Sequence, residues 1–451
     1  MNTTQPTPAQ PQSLTVVNPN AAGLDIGSSE IWACVPADRD PQPVRQFGTF
    51  TPDLLALADW LQKCGVKTVA MESTGVYWIP VYELLQERGF QVQVVNARHL
   101  KNVPGRKSDV QDCQWIQQLH SFGLLSGSFR PEAEMCALRA YLRHRASLLE
   151  HRAAHIQHMQ KALQQMNVQL TQVLSDITGE TGLAIIRAIV AGERDPVQLA
   201  QRRNPRCAHG QEEIAKALTG NYRPEHVFAL KQALALYDFY TTQIQECDAE
   251  LERHYSACKP VVDIAQNPLP PSRKTNTHSK NAPSFDVRTH LYRLTGVDLT
   301  AIDGLNEVTV QMTLSEIGTD MSKWRTEKHF CSWLRLAPHN EISGGKVLSS
   351  HILPGPNRAG QALRLAAQAV GRTNTALGAY YRHVRAKHGP ERAIVATAHK
   401  LARIIYHLLK YREPYQDMGC AEYEQRRRER EVNQLQRKAA KLGFTLMPQA
   451  A

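Results

Sequence analysis

Four acidic residues occupy positions that suit chemistry better than folding. Asp25 interrupts the apolar run AAGLDIG, where a carboxylate is costly to bury without a partner. Glu72 closes a second such run, VKTVAME. Asp109 and Asp112 are three apart in SDVQDCQWIQQLHSFG, so on a helix they share a face. Gathered in one pocket, like charges at ~4 Å and an effective dielectric of ~20 cost about 4 kcal/mol per pair. Divalent cations make such a cluster stable at neutral pH, and hard oxygen ligands suit Mg²⁺ or Mn²⁺. Such ions can activate an attacking oxygen and stabilise a leaving one in phosphoryl transfer. Singly, each acid has a plainer reading: Asp109 or Asp112 as a solvated helix residue or cap, Glu72 as a cap on the STGVY turn. The joint arrangement carries the inference. Arg106 and Lys107, just before Asp109, could touch a phosphate backbone or simply line a solvated loop.

A second constellation lies toward the other end. Ser343 precedes Gly344 and Gly345, with Lys346 next. Two glycines let a backbone approach a substrate closely. A nearby cation could stabilise a phosphorane-like transition state. A serine hydroxyl is a weak nucleophile until something activates it, and His339 and His351 are near in sequence. From the residues alone, S-G-G reads first as a plain loop, and Ser349 or Ser350 rivals Ser343.

The elements that must position these groups are legible in the patterning. AAGLDIG, EIWACVPA and VRQFGTF read as three successive strands. PDLLALADWLQKC reads as an amphipathic helix, VKTVAME as a fourth strand, WIPVYELLQERG as a helix and QVQVVN as a fifth strand. A helix with Ser108 as N-cap follows. The order β-β-β-α-β-α-β-α is that of an RNase H-like fold, and it would bring the acids to the carboxyl ends of the central strands.

Beyond Pro131 the pattern turns helical. Leu138, Leu142, Leu149, Ile156, Met159, Leu163, Met166 and Leu170 follow a three-four spacing that Arg145 and Arg152 interrupt, and a second such run spans Val227 to Leu251. An antiparallel pair, a dimerisation arm and an ordinary helical core all fit. Residues 265–285, rich in Pro, Ser, Asn and Lys, read as a linker. Residues 299–318 read as a helix, a Gly-containing turn and a helix, like a helix-hairpin-helix. The expected organisation is a disordered lead-in (1–14), an α/β domain (15–130), a helical coiled-coil region (131–264), a linker (265–287), a mainly α C-terminal domain (288–415) and a charged tail (416–451). The tail reads as a solvated helix or, more sharply, as a nucleic-acid contact.

A net charge of +11 favours a polyanionic partner. The nine scattered cysteines contain no C-x-x-C pair, so neither a zinc ribbon nor a disulfide framework is indicated, and a reducing cytosol fits best. No apolar run is long enough to span a membrane.

GLDIGSSEIW, VAMESTGVYWIPVYELL, VVNARHLKNVPGRKSDVQDCQWI and the S-G-G-K segment resemble the Piv/IS-one-ten family of DEDD transposases, which are insertion-sequence recombinases. The resemblance implies a RuvC-like first domain whose acids fall on Asp25, Glu72, Asp109 and Asp112 and hold Mg²⁺. It implies a catalytic serine at Ser343, a covalent phosphoserine link to DNA and no need for ATP. It further implies double-stranded DNA at element ends and target, a structured guide RNA, and dimers or tetramers that pair the acids of one subunit with the serine of another. The loop after the serine, often Lys/Arg-rich in the family, is HILPGPNRAG here, leaving Lys346 and Arg358 as candidate nucleic-acid contacts. Three rivals remain. An actin-like kinase would need a second similar domain, which the helical continuation does not offer. A RuvC-like nuclease would cut with water and not need Ser343. A nucleic-acid-binding scaffold would not cut at all.

Overall fold

Alternation in the first third produces a sheet with two different faces. In the computed structural model, β1 (Ala21–Ile26), β2 (Glu30–Cys34), β3 (Val44–Gly48), β4 (Thr68–Glu72) and β5 (Gln91–Val95) form one sheet in the order β3-β2-β1-β4-β5. The first three strands are antiparallel, and β1–β4 and β4–β5 are parallel. Helices α1 (Thr51–Lys63) and α2 (Trp78–Glu87) follow β3 and β4, and α3 (Asp109–Ser121) comes last. Side chains alternate along a strand. Ala22, Leu24 and Ile26 of β1 therefore join the core with Leu57 and Leu61 of α1 and Leu85 of α2. Ala21, Gly23 and Asp25 face the other way, toward α3. The structure describes residues 15–72, 75–96, 109–272, 280–352, 354–355 and 357–447. The expected lead-in, Arg106, Lys107 and the Ser108 cap lie outside the described residues.

The chain divides into two units, Met1–Arg130 and Pro131–Ala451. The second is built on two long helices, α4 (Ala133–Gln165) and α9 (Pro224–Ala257). Contacts of Glu134 with His254, Tyr141 with Cys247 and Arg152 with Thr241 make the pair antiparallel. Four short helices, α5 (Leu170–Val173), α6 (Glu180–Ala191), α7 (Pro196–Ala200) and α8 (Gln211–Ala217), pack at its far end around Met159, Leu163, Ile185 and Leu230.

Arg145 belongs to the seam rather than interrupting it. It is 5% exposed and forms a two-pronged bond with Asp248 at 2.5 and 3.2 Å. Leu148, not Leu149, is the buried leucine of that turn. The second oxygen of Asp248 also accepts from the Ser284 backbone, and the Asn281 carbonyl accepts from Arg145. The Pro-rich segment, read as a linker, is thus stitched to the helix pair at Asn281 and Ser284. A buried charge deprived of its partner is strongly destabilising, whereas apolar replacement of both is close to neutral. Asp248→Ala should therefore lower stability by about 3–5 kcal/mol in denaturant unfolding, and Arg145→Met/Asp248→Leu should recover most of it. Equal losses in the single and double variants would contradict this.

Helix α10 (Val287–Thr295) stops at Gly296, which is left-handed, and only a 3₁₀ turn (Leu299–Ala301) precedes α11 (Glu307–Ile317). The expected helix–turn–helix is thus reduced on its first side. Asp298 caps the Thr300 amide and pairs with Arg288 at 2.5 Å, which holds the chain out of a longer helix. The Gly304 turn is spent on packing, since a Cβ there would meet Val370 Cγ2 at 2.3 Å. Arg139 of α4 donates to the Ser315 carbonyl at the end of α11, and Arg143 pairs with Glu316 at 2.8 Å. Helix α12 (Glu327–Trp333) then leads to a hairpin, β6 (His339–Ser343) and β7 (Lys346–His351). Helices α13 (Arg358–Val370), α14 (Ala376–His388), α15 (Pro390–Tyr411) and α16 (Gly419–Lys441) complete the chain.

Candidate active site

The sheet register brings the first two acids together. Leu24 of β1 pairs with Met71 of β4 in parallel. Asp25 and Glu72, the next residues, thus occupy neighbouring positions on adjacent strands, ~4.8 Å apart in backbone spacing, and point to one face. Helix α3 covers that face, with close contact at Gly23: a Cβ there would lie 2.3 Å from the Gln117 amide nitrogen and 2.4 Å from the Cys113 carbonyl oxygen. Helix residues 113–117 lie over Gly23, so the preceding turn, with Asp109 and Asp112, is the part of α3 near Asp25.

The electrostatics agree with this placement. Burial raises the Asp25 carboxyl to about 6, and the charges of Asp109, Glu72 and Asp112 push in the same direction. Hard carboxylate oxygens in mutual repulsion suit a divalent ion by donor chemistry. Among the described residues, however, no three of the His, Cys, Asp and Glu side chains stand close enough to share one ion. Glu72 and Asp109 adjoin segments outside the described residues.

Ser343 belongs to the second unit, and its setting is a hairpin rather than a loop. It pairs with Lys346 across Gly344 and Gly345, whose φ values of 55° and 77° define a two-residue turn that favours glycine. Ser343 and Lys346 are exposed at the tip. Among the described residues, no side chain is hydrogen-bonded to the Ser343 hydroxyl. His351 instead contacts Ser349 at 3.0 Å, and its ring lies 6.1 Å from that of His339. Arg358 is exposed in the first turn of α13, just after the N-cap Asn357, which accepts from the Gly360 amide.

Residues 22–168 match the transposase family model DEDD_Tnp_IS110, and residues 298–382 match that of the Transposase IS116/IS110/IS902 family. The chain belongs to the IS110 family of transposases. The first match contains Asp25, Glu72, Asp109 and Asp112, and the second contains Ser343, Lys346 and Arg358. No curated protein is similar enough to the transposase to match it. DNA is accordingly the substrate class of this enzyme. No helix among its described residues is long and apolar enough to cross a membrane.

One neighbour of the acids was not singled out by sequence reasoning. Trp32 stands directly across from Asp25 in the β1–β2 ladder, and its buried indole N–H has no acceptor among the described residues. Its only signal was its place in the strand returning from the Asp25 turn. The Gly23 contact gives the transposase a sharp steric test. Gly23→Val drives a side chain into helix backbone, which cannot rotate away. It should cost about 2–3 kcal/mol of stability in the first unit and displace Asp109 and Asp112. A thermal melt unchanged from wild type would refute the close packing.

Proposed function

We propose that this IS110-family transposase cuts and rejoins DNA through a covalent phosphoserine intermediate. The reading is supported above all by the convergence of Asp25 and Glu72 on adjacent parallel strands beneath the turn that carries Asp109 and Asp112. The β-β-β-α-β-α-β-α order, with an antiparallel first half and a parallel second half, is that of an RNase H/RuvC-like domain. In this reading, Asp25, Glu72, Asp109 and Asp112 hold Mg²⁺ or Mn²⁺. The bound ion would supply charge stabilisation at the reacting phosphate.

The remaining work falls to the chain itself. The Ser343 hydroxyl attacks phosphorus, a new P–O bond forms and the bond to one sugar oxygen breaks. The serine proton passes to that leaving oxygen. Rejoining reverses the step, with a sugar hydroxyl displacing Ser343, so the phosphodiester energy is conserved and no ATP is needed. The Gly344–Gly345 turn offers little bulk and lets the tip enter a groove. Lys346 beside it contributes positive charge, with Arg358, Arg106 and Lys107 as further phosphate contacts. In this reading a second copy of the chain supplies the serine to the acids, in a dimer or tetramer. A structured RNA encoded by the element guides the choice of DNA.

The decisive experiment incubates the purified chain with its element ends and Mg²⁺, then separates products under denaturing conditions. A protein–DNA adduct mapping to Ser343 is the expected result. Cut ends without any adduct would instead favour a RuvC-like nuclease using water.

A further inference from the structure

The charged tail forms a pocket that neither family match reaches. Lys400 of α15 lies where α14 and α16 meet it. Its ammonium stands 4.1 Å from the centre of the Tyr380 ring and 5.5 Å from that of Tyr423. No carboxylate among the described residues pairs with it. Burial lowers its pKa, and Arg430 and Arg403 add to the effect. A cavity of about 600 Å³ opens beside it, lined by Lys400, Tyr423, Arg426, Arg430, Asn433 and Glu429, among others.

Three acids of this helix are paired with arginines of the helix itself. Glu422 pairs with Arg426 at 2.5 Å, Glu424 and Glu431 with Arg427 at 3.3 and 3.2 Å, and Glu429 accepts from Gln425 at 3.2 Å. Among the described residues, Arg430 donates only to the Arg426 carbonyl, at 3.1 Å. Lys400 and Arg430 are thus two cations at a cavity where Glu429 is the one lining carboxylate among the described residues, so positive charge is in excess there. Folding alone disfavours that arrangement, and an anion in the cavity relieves it. The cations also continue outward. Arg437 and Lys441 follow Arg430 at seven- and eleven-residue steps, so they share its helix face. Eleven residues of helix extend about 16 Å. A row of that length suits an extended polyanion better than a single small ion.

We propose that the cavity between α15 and α16 binds the phosphodiester backbone of nucleic acid. Lys400 and Arg430 make the charged contacts, and Asn433 offers a neutral donor. The inference rests on the chain being a nucleic-acid enzyme but not on its serine chemistry.

The test measures binding of a DNA duplex and of an RNA hairpin by the full chain across a salt series. Lys400→Met and Arg430→Gln should each weaken binding about 5- to 10-fold, irrespective of base sequence, and lower the salt slope by about 1. Arg428→Gln, two residues from Arg430 and so on the opposite helix face, should leave both nearly unchanged. Thermal melts verify that each variant folds. Independently, nucleic acid should protect Lys400 from amine acylation, and which of the two probes protects it more identifies the natural strand. Wild-type affinity and slope in folded Lys400→Met and Arg430→Gln would overturn the site while leaving the enzyme reading intact. Full protection by inorganic phosphate alone, with no gain from either nucleic acid, would overturn the nucleic-acid assignment. Failure of the wild-type chain to bind either probe would overturn this inference together with the enzyme reading.

Discussion

Ser343→Ala should eliminate the covalent protein–DNA adduct and reduce strand exchange by at least about 10³-fold, in line with removal of a nucleophile. The DNA-binding affinity of the variant should stay within about twofold of wild type, because a tip hydroxyl contributes one neutral contact. The separation of binding from chemistry makes the result informative. A hydroxyl needed only for contact would weaken binding and chemistry together. Ser349 and Ser350, on the return strand β7, are the natural controls. Ser349 already engages His351, the sort of pairing that activates a hydroxyl, whereas Ser343 has no such partner among the described residues. Ser343 therefore depends on groups that arrive with the substrate or from elsewhere in the assembly. An adduct persisting in Ser343→Ala and mapping to Ser349 would transfer the nucleophile to the other strand of the hairpin.

Asp25→Asn should abolish Mg²⁺-dependent cleavage and also change the stability of the metal-free protein in a direction opposite to most active-site losses. The ionised carboxyl is disfavoured in the folded state, with its pKa raised from 3.8 to about 6. A raised folded value means that the stability contribution is complete below pH 3.8 and is lost as pH climbs through about 6. The shift corresponds to roughly 3 kcal/mol, which solvent at this half-exposed group screens to about 1–2 kcal/mol. At pH 8 without metal, Asp25→Asn should therefore melt above wild type, and the difference should vanish near pH 4. Added Mg²⁺ should raise the melting temperature of wild type and leave the variant nearly unmoved. If wild type and Asp25→Asn showed the same pH profile and the same response to Mg²⁺, the carboxylate cluster would have no role as a cation site.

The first unit was legible because its signals are local. Strand alternation, helix periodicity and the carboxylates at strand ends each lie within a few residues, and the element order followed. The register that makes Asp25 and Glu72 neighbours could be anticipated only through the fold, since no local spacing links them. Gly23 gave no warning of its role: glycine reports missing bulk, not what fills the space. In the second unit, charge misled. Arg145 looked like a break in an apolar seam because its partner, Asp248, lies 103 residues away. The hairpin at Ser343 had a readable sign, two glycines between EIS and KVL, since successive positive φ values favour such a pair. It was passed over as a loop because the strands flanking it are exposed on every residue but one and show no buried alternation.

The clasp of Arg145, Asp248, Asn281 and Ser284 affects how motion can travel. The segment leading into α10 is bolted to the middle of the long helices, and Arg139 and Arg143 bolt the base of α4 to the end of α11. With two anchor points among the described residues, the arm is tied both to the chain entering the C-terminal helices and to α11. A displacement of the arm would therefore act on the helices that precede the serine hairpin through these two sets of bonds, and cutting either set by substitution should uncouple that end.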